Sequence, residues 1–110
     1  MKQYVLDEIA RADLPRIRNY LNRKALTSGL EGIWWLELGK EQLSETQKAH
    51  ADCQPYCIAV ELGRTAIKFE FLIRSRQTMR CSCIAYATPA QRDWIMNFAD
   101  KLVVELELKT

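Results

Sequence analysis

Five side chains in this sequence have the chemistry to bind a metal or attack an electrophile. They fall into two groups: His50, Cys53 and Cys57 in one segment, and Cys81 with Cys83 in another. Thiolates and imidazole are the donors of tetrahedral zinc, so a site on His50, Cys53, Cys57 and one of Cys81 or Cys83 is the metal-binding alternative this chain offers. Cys53 and Cys57 have the spacing of a metal knuckle. Cys81 and Cys83 stand two apart in a segment that reads as a strand, where they share a face with Met79 and Ala85. If Ile58, Val60 and Leu62 face the helices, Cys57 faces away while the strand pair packs beneath a helix, and the two sides cannot share an ion. The opposite register puts Ile84 and Tyr86 inside and leaves the pair beside Cys57. Free cysteine is among the most buried residue types, so the favoured reading makes Cys81 and Cys83 core thiols and expects no cofactor.

A catalytic cysteine paired with His50 is a second possibility, since His50 and Cys53 lie about one turn apart on a short helix. No strained elbow, orienting acid or glycine-rich oxyanion loop accompanies them, and catalysis is not favoured. A third signal is the basic run Arg74, Arg76 and Arg80 between two strands, with Trp35 or Tyr86 as a stacking surface, which suits weak nucleic-acid binding. A solvated turn is the preferred account of that run. No glycine-rich phosphate loop, carboxylate cluster or helical His pair is present, which removes nucleotide-binding and common metallohydrolase functions.

The elements that must position these residues can be read from periodicity. Residues 1–12 fit a helix or a short strand at Tyr4-Val5-Leu6, the strand being preferred. Asp13 and Pro15 open a helix whose Leu14, Ile17, Leu21 and Ala25 form one stripe, stopping at Thr27-Ser28-Gly29. Ile33 to Leu38 is strand-like, with Trp34, Leu36 and Leu38 on one face. In the polar excursion from Lys40 to Pro55, Ser44 and Gln47 have the pattern of a capping box and start a short helix. From Tyr56 the period is two: Ile58, Val60 and Leu62, a turn at Gly63-Arg64, then Ile67, Phe69, Phe71 and Ile73. This is a hairpin, and Met79 to Ala87 reads as a third strand. Thr88, Pro89 and Gln91 start the last helix, with Trp94, Ile95, Phe98, Leu102 and Leu106 on one face; Val104, Leu106 and Leu108 also alternate as in a strand.

The expected architecture is one α+β domain over residues 1–110. It has two layers: a mainly antiparallel sheet of four to five strands with two main helices on one face, in the order (β)αβ, short α or loop, βββ, α. With 110 residues, 48% hydrophobic and 27% charged, the chain has the composition of one globular domain. Its net charge of +2 conceals basic, acidic and basic blocks in turn. The start carries Asp7 and Glu8 and no apolar run, and no stretch has the roughly 18 apolar residues of a membrane span, so a soluble, cytoplasmic protein with reduced cysteines is expected.

Given the inward set, the opposite sheet face still holds Ile33, Trp35, Leu72, Ile84 and Tyr86. A half-apolar second face must be covered, either by residues 40–55 folding back or by a partner. Cover from within is slightly preferred. The expected function is a binding or interaction module, with Trp35, Leu72, Arg74, Arg76, Arg80 and Tyr86 as contact residues and a second copy or another protein as partner.

Overall fold

The computed structural model describes residues 1–110. Its elements are β1 (Gln3–Leu6), α1 (Leu14–Lys24), β2 (Leu26–Thr27), β3 (Ile33–Glu37), α2 (Glu45–Ala49), β4 (Tyr56–Leu62), β5 (Ile67–Glu70), β6 (Leu72–Ser75), β7 (Ala85–Tyr86) and α3 (Pro89–Leu106). Single 3-10 turns lie at Arg11–Asp13, Lys40–Gln42 and Ala51–Cys53. The fold is α+β, as periodicity implies, with an antiparallel sheet of seven strands in the order β1-β5-β4-β3-β2. β6 pairs with β4 and carries β7.

The period-two runs place apolar side chains on the helix side of the sheet. Trp34 pairs with Val60, Leu36 with Ile58, and Val60 with Phe69, so their side chains stack in rows beneath α1 and α3. Ile17, Ile58, Val60, Ile67, Phe69, Ile95 and Leu102 are completely buried there. Burying each such side chain is worth about 1.5–3 kcal/mol relative to exposure. Phe98 meets Tyr20 and Phe69 edge-on, each at 6.2 Å between ring centroids, and ties α3 to α1 and the sheet.

Both expected capping boxes form, at Ser44 with Gln47 and at Thr88 with Gln91. The first helix differs in detail. Asp13 makes no side-chain cap, because it already has helical geometry in the preceding turn and its carboxylate pairs with Arg16 at 3.0 Å. The helix ends at Lys24 rather than at Thr27-Ser28-Gly29, because Ala25 turns extended and Leu26–Thr27 pair with β3. At the other end of the chain, α3 runs to Leu106, and Glu107 closes it in the left-handed conformation at φ 53°.

The expected hairpin forms but is broken at Phe71. Val60 pairs with Phe69, whereas Cys57 pairs with Arg74, so the register shifts by two residues on the later strand. The shift preserves the alternation of faces. Ala59, left without a ladder acceptor, donates its N–H to the Glu70 carboxylate at 3.1 Å, and Arg74 binds the same oxygen at 2.6 Å.

The third strand expected over Met79 to Ala87 is not formed, and only Ala85–Tyr86 pair, with Leu72–Ile73. Local hydrogen bonds, several of them to hydroxyls just before the segment, take the place of a ladder. Ser75 Oγ accepts from the N–H groups of Gln77 and Thr78, Thr78 Oγ1 exchanges bonds with Arg80, and Ile84 N–H donates to the Cys81 carbonyl. Local hydroxyl bonds of this kind compete with a sheet ladder. Met79, expected inside a strand face, is 94% exposed. Residues 40–55 do not cover the outer face of the sheet. They pack at its end against α3, where the Gln91 amide donates to the Gln42 carbonyl at 2.8 Å and to Gln47 Oε1 at 2.9 Å. No helix is long and apolar enough to cross a membrane.

Candidate metal centre

Replacing the strand by a loop brings Cys81 and Cys83 toward the end of α2. The ligand atoms of His50, Cys81 and Cys83 all lie within 4.8 Å of one another, close enough to hold a metal ion. Around tetrahedral zinc, sulfur and nitrogen donors sit roughly 3.5–3.8 Å apart, so closure needs a contraction of about 1 Å. Cys83 is buried, and His50, Cys81 and Cys53 are half-buried.

Each ligand segment is fixed by hydrogen bonds from residues that the sequence did not mark as functional. The His50 ring places Nδ1 at 2.7 Å from the Thr46 carbonyl, one turn back on the helix. A carbonyl only accepts, so Nδ1 carries a proton and Nε2 is the ring nitrogen left to meet a metal. Metal-ligating histidines are held in this way. The backbone carbonyl of His50 accepts from the buried Tyr56 hydroxyl at 3.2 Å, and that of Cys83 accepts from the Gln47 amide at 3.3 Å. Ser75 Oγ donates to the Cys53 carbonyl. Buried Gln47 and Gln91 were legible only as capping residues, although a glutamine on a capping box that also meets the core is a usable signal.

Electrostatics within the group separates the thiols. Cys81 is brought down to about 7, first by hydrogen bonding with the Cys83 thiol and then by the Cys83 backbone N–H, which lies 3.4 Å from its Sγ. Cys53 is pushed up to about 12 by desolvation and then by thiol hydrogen bonding with Cys83 and Cys81. The two shifts are complementary, with one thiol yielding its proton readily and its neighbour retaining one. The Tyr56 phenol is also raised, by burial first and then by Cys83.

Cys57 lies elsewhere. It is buried on the outer face of β4, opposite Glu37 and Arg74, and burial pushes its thiol up to about 11. Strand alternation turns it away from the group at His50, so Cys57 does not join His50 and Cys53 as the four-donor alternative in the sequence required. The position of Cys81 and Cys83 beside His50 and Cys53 was not legible, because it depends on the loop that displaces the expected strand. Of the expected contact residues, Trp35, Arg74 and Arg76 line one cleft on the outer face. Leu72 pairs with Tyr86 at the edge, where the Lys2 ammonium stands 5.1 Å over the Tyr86 ring, and Arg80 is exposed on the loop. Comparison with protein-family models, curated proteins and solved structures gave no match.

Proposed function

We propose that this chain is a zinc-binding module in which His50, Cys53, Cys81 and Cys83 hold a single ion. The observation that carries this reading is the convergence of the His50, Cys81 and Cys83 donors within 4.8 Å, with His50 already oriented by the Thr46 carbonyl. Cys53 lies outside that 4.8 Å group, but it is half-buried on the turn that follows His50 and its thiol is influenced by Cys83 and Cys81, so it is the fourth donor this reading adds. A donor set rich in thiolate with one imidazole favours zinc in tetrahedral geometry.

Four protein ligands leave no open position for water or substrate, so the ion is structural. It joins the end of α2 and the turn Ala51–Cys53 to the loop between β6 and β7, two irregular segments that share no strand pairing. The domain is a binding module whose loop is set by the metal.

Elemental analysis of protein purified without chelator tests this reading. About one equivalent of zinc is expected. Cys83→Ser and Cys81→Ser should lose it, while Cys57→Ser retains it. Cobalt substitution should give the visible spectrum of a tetrahedral thiolate site. Metal far below one equivalent in the unaltered protein, or equal loss in Cys57→Ser, would sink the proposal.

A further inference from the structure

The outer face of the sheet carries a cleft that the metal reading does not use. It is a cavity of about 290 Å³ lined by Trp35, Cys57, Arg74, Arg76, Met79 and Ile84, with Ser75 and Thr78 at its edge. A second hollow of about 350 Å³ adjoins it at Trp35 and Arg74 and continues toward Leu30 and Ile33. The size of the first is near the lower end of ligand pockets, which are mostly apolar with a few placed polar groups.

The charges in the cleft are unequal. Arg74 is committed to Glu70, at 2.6 Å from one carboxylate oxygen and 3.3 Å from the other. Arg76 forms no ion pair with any carboxylate of the chain. Its guanidinium instead lies over the Trp35 ring, 5.8 Å from the centroid. Glu37 faces Cys57 across the ladder but does not reach Arg76 within ion-pairing distance. An uncompensated cation therefore stands over a flat aromatic floor, flanked by the apolar Met79 and Ile84. The hydroxyls of Ser75 and Thr78 already donate to the Cys53 and Arg80 carbonyls, which leaves the Arg76 guanidinium as the unpaired charge in the cleft.

We propose that this cleft binds a small organic anion, a carboxylate or sulfonate on a flat apolar body. Arg76 meets the anionic group through charge-assisted hydrogen bonds, and the body lies against Trp35, Met79 and Ile84. Cys57 forms the floor as an inert thiol, since burial keeps it protonated.

Titration with 8-anilinonaphthalene-1-sulfonate, followed by its own fluorescence and by tryptophan quenching, tests the site on the full chain. One saturable site is expected, displaced by naphthalene-2-carboxylate and poorly by the neutral 2-naphthalenemethanol. Arg76→Gln, at an exposed position, should weaken binding about tenfold or more. Arg64→Gln, which removes the same charge at the turn between β4 and β5, should leave it unchanged. Met79→Glu should weaken binding by placing a carboxylate at the mouth. Absence of saturation, equal loss in the two arginine variants, or equal competition by the neutral alcohol would each overturn the proposal. Circular dichroism of every variant separates loss of binding from loss of fold.

Discussion

The Tyr56 hydroxyl lies 3.3 Å from the Gln47 carbonyl and 3.2 Å from the His50 carbonyl, sharing its one proton between them, and so helps to fix the backbone that presents the imidazole. Tyr56→Phe removes that shared proton while each carbonyl keeps a backbone donor, His50 N–H on Gln47 and Cys53 N–H on His50, so the cost should be about 1 kcal/mol. Urea unfolding of metal-free protein measures that cost, and zinc competition with a chromogenic chelator should show affinity about tenfold lower. Glu70 does comparable work on the outer face, supplying the acceptor that the broken ladder denies Ala59 and the partner of Arg74. Glu70→Ala should cost about 2 kcal/mol in the same unfolding experiment. Glu70→Gln should cost less, because its amide oxygen still accepts from Ala59. Tyr4 gives a pH dependence of defined sign. Its hydroxyl donates to Asp100 at 2.8 Å, and that bond, then burial, raises its pKa above the usual value near 10. The bond's contribution is complete below that value and is lost as pH rises through the folded pKa. Alkaline unfolding curves of Tyr4→Phe should therefore be flatter above about pH 10 than those of the unaltered chain.

Among the elements, the loop from Arg76 to Ile84 has the most to gain from a metal. It is held by bonds within itself, by the Gln47 amide on Cys83 and by the Arg76 N–H on the Pro55 carbonyl, without a ladder. A segment with few packed contacts opens locally at small cost. Zinc removal by chelator should raise amide exchange in residues 76–84 and at the end of α2, with the centre of β4 unchanged. Exchange equal in the two states would show that the loop is set by its hydrogen bonds alone. The same loop marks the limit of periodicity as a guide. Hydrophobic alternation placed the faces of β3, β4 and β5 correctly because burial on one side of a sheet fixes register. Met79 to Ala87 alternates as well, yet Ser75 and Thr78 turn the backbone aside, and no count of apolar residues registers that competition. Capping chemistry was legible at both Ser44 and Thr88 because it is local. That Gln47 and Gln91 also meet each other is not, since 44 residues separate them.

At the scale of the whole molecule, the charge blocks along the chain become pairs rather than one patch. Arg18 of the first basic block meets Glu31 of the acidic one at 3.9 Å, and Arg74 meets Glu70 within the last. Exposed pairs such as the first are worth little in stability, so the core, together with zinc if the proposed site holds it, should dominate the thermal behaviour. An ion bound only by the folded state stabilises by mass action. Zinc added back to chelated protein should raise the melting temperature in a concentration-dependent way. Cys57→Ser should respond as the unaltered chain does, and Cys83→Ser should not respond. The sequence by itself determined the antiparallel α+β class, the helix-facing side of each main strand and both capping boxes, because these follow from local sterics and the period of burial. Only the tertiary structure decided which donors meet, and that the excursion of residues 40–55 leaves the outer face open. Those outcomes depend on where two irregular segments cross in space, and their backbones are directed by individual side-chain hydrogen bonds rather than by any repeating pattern.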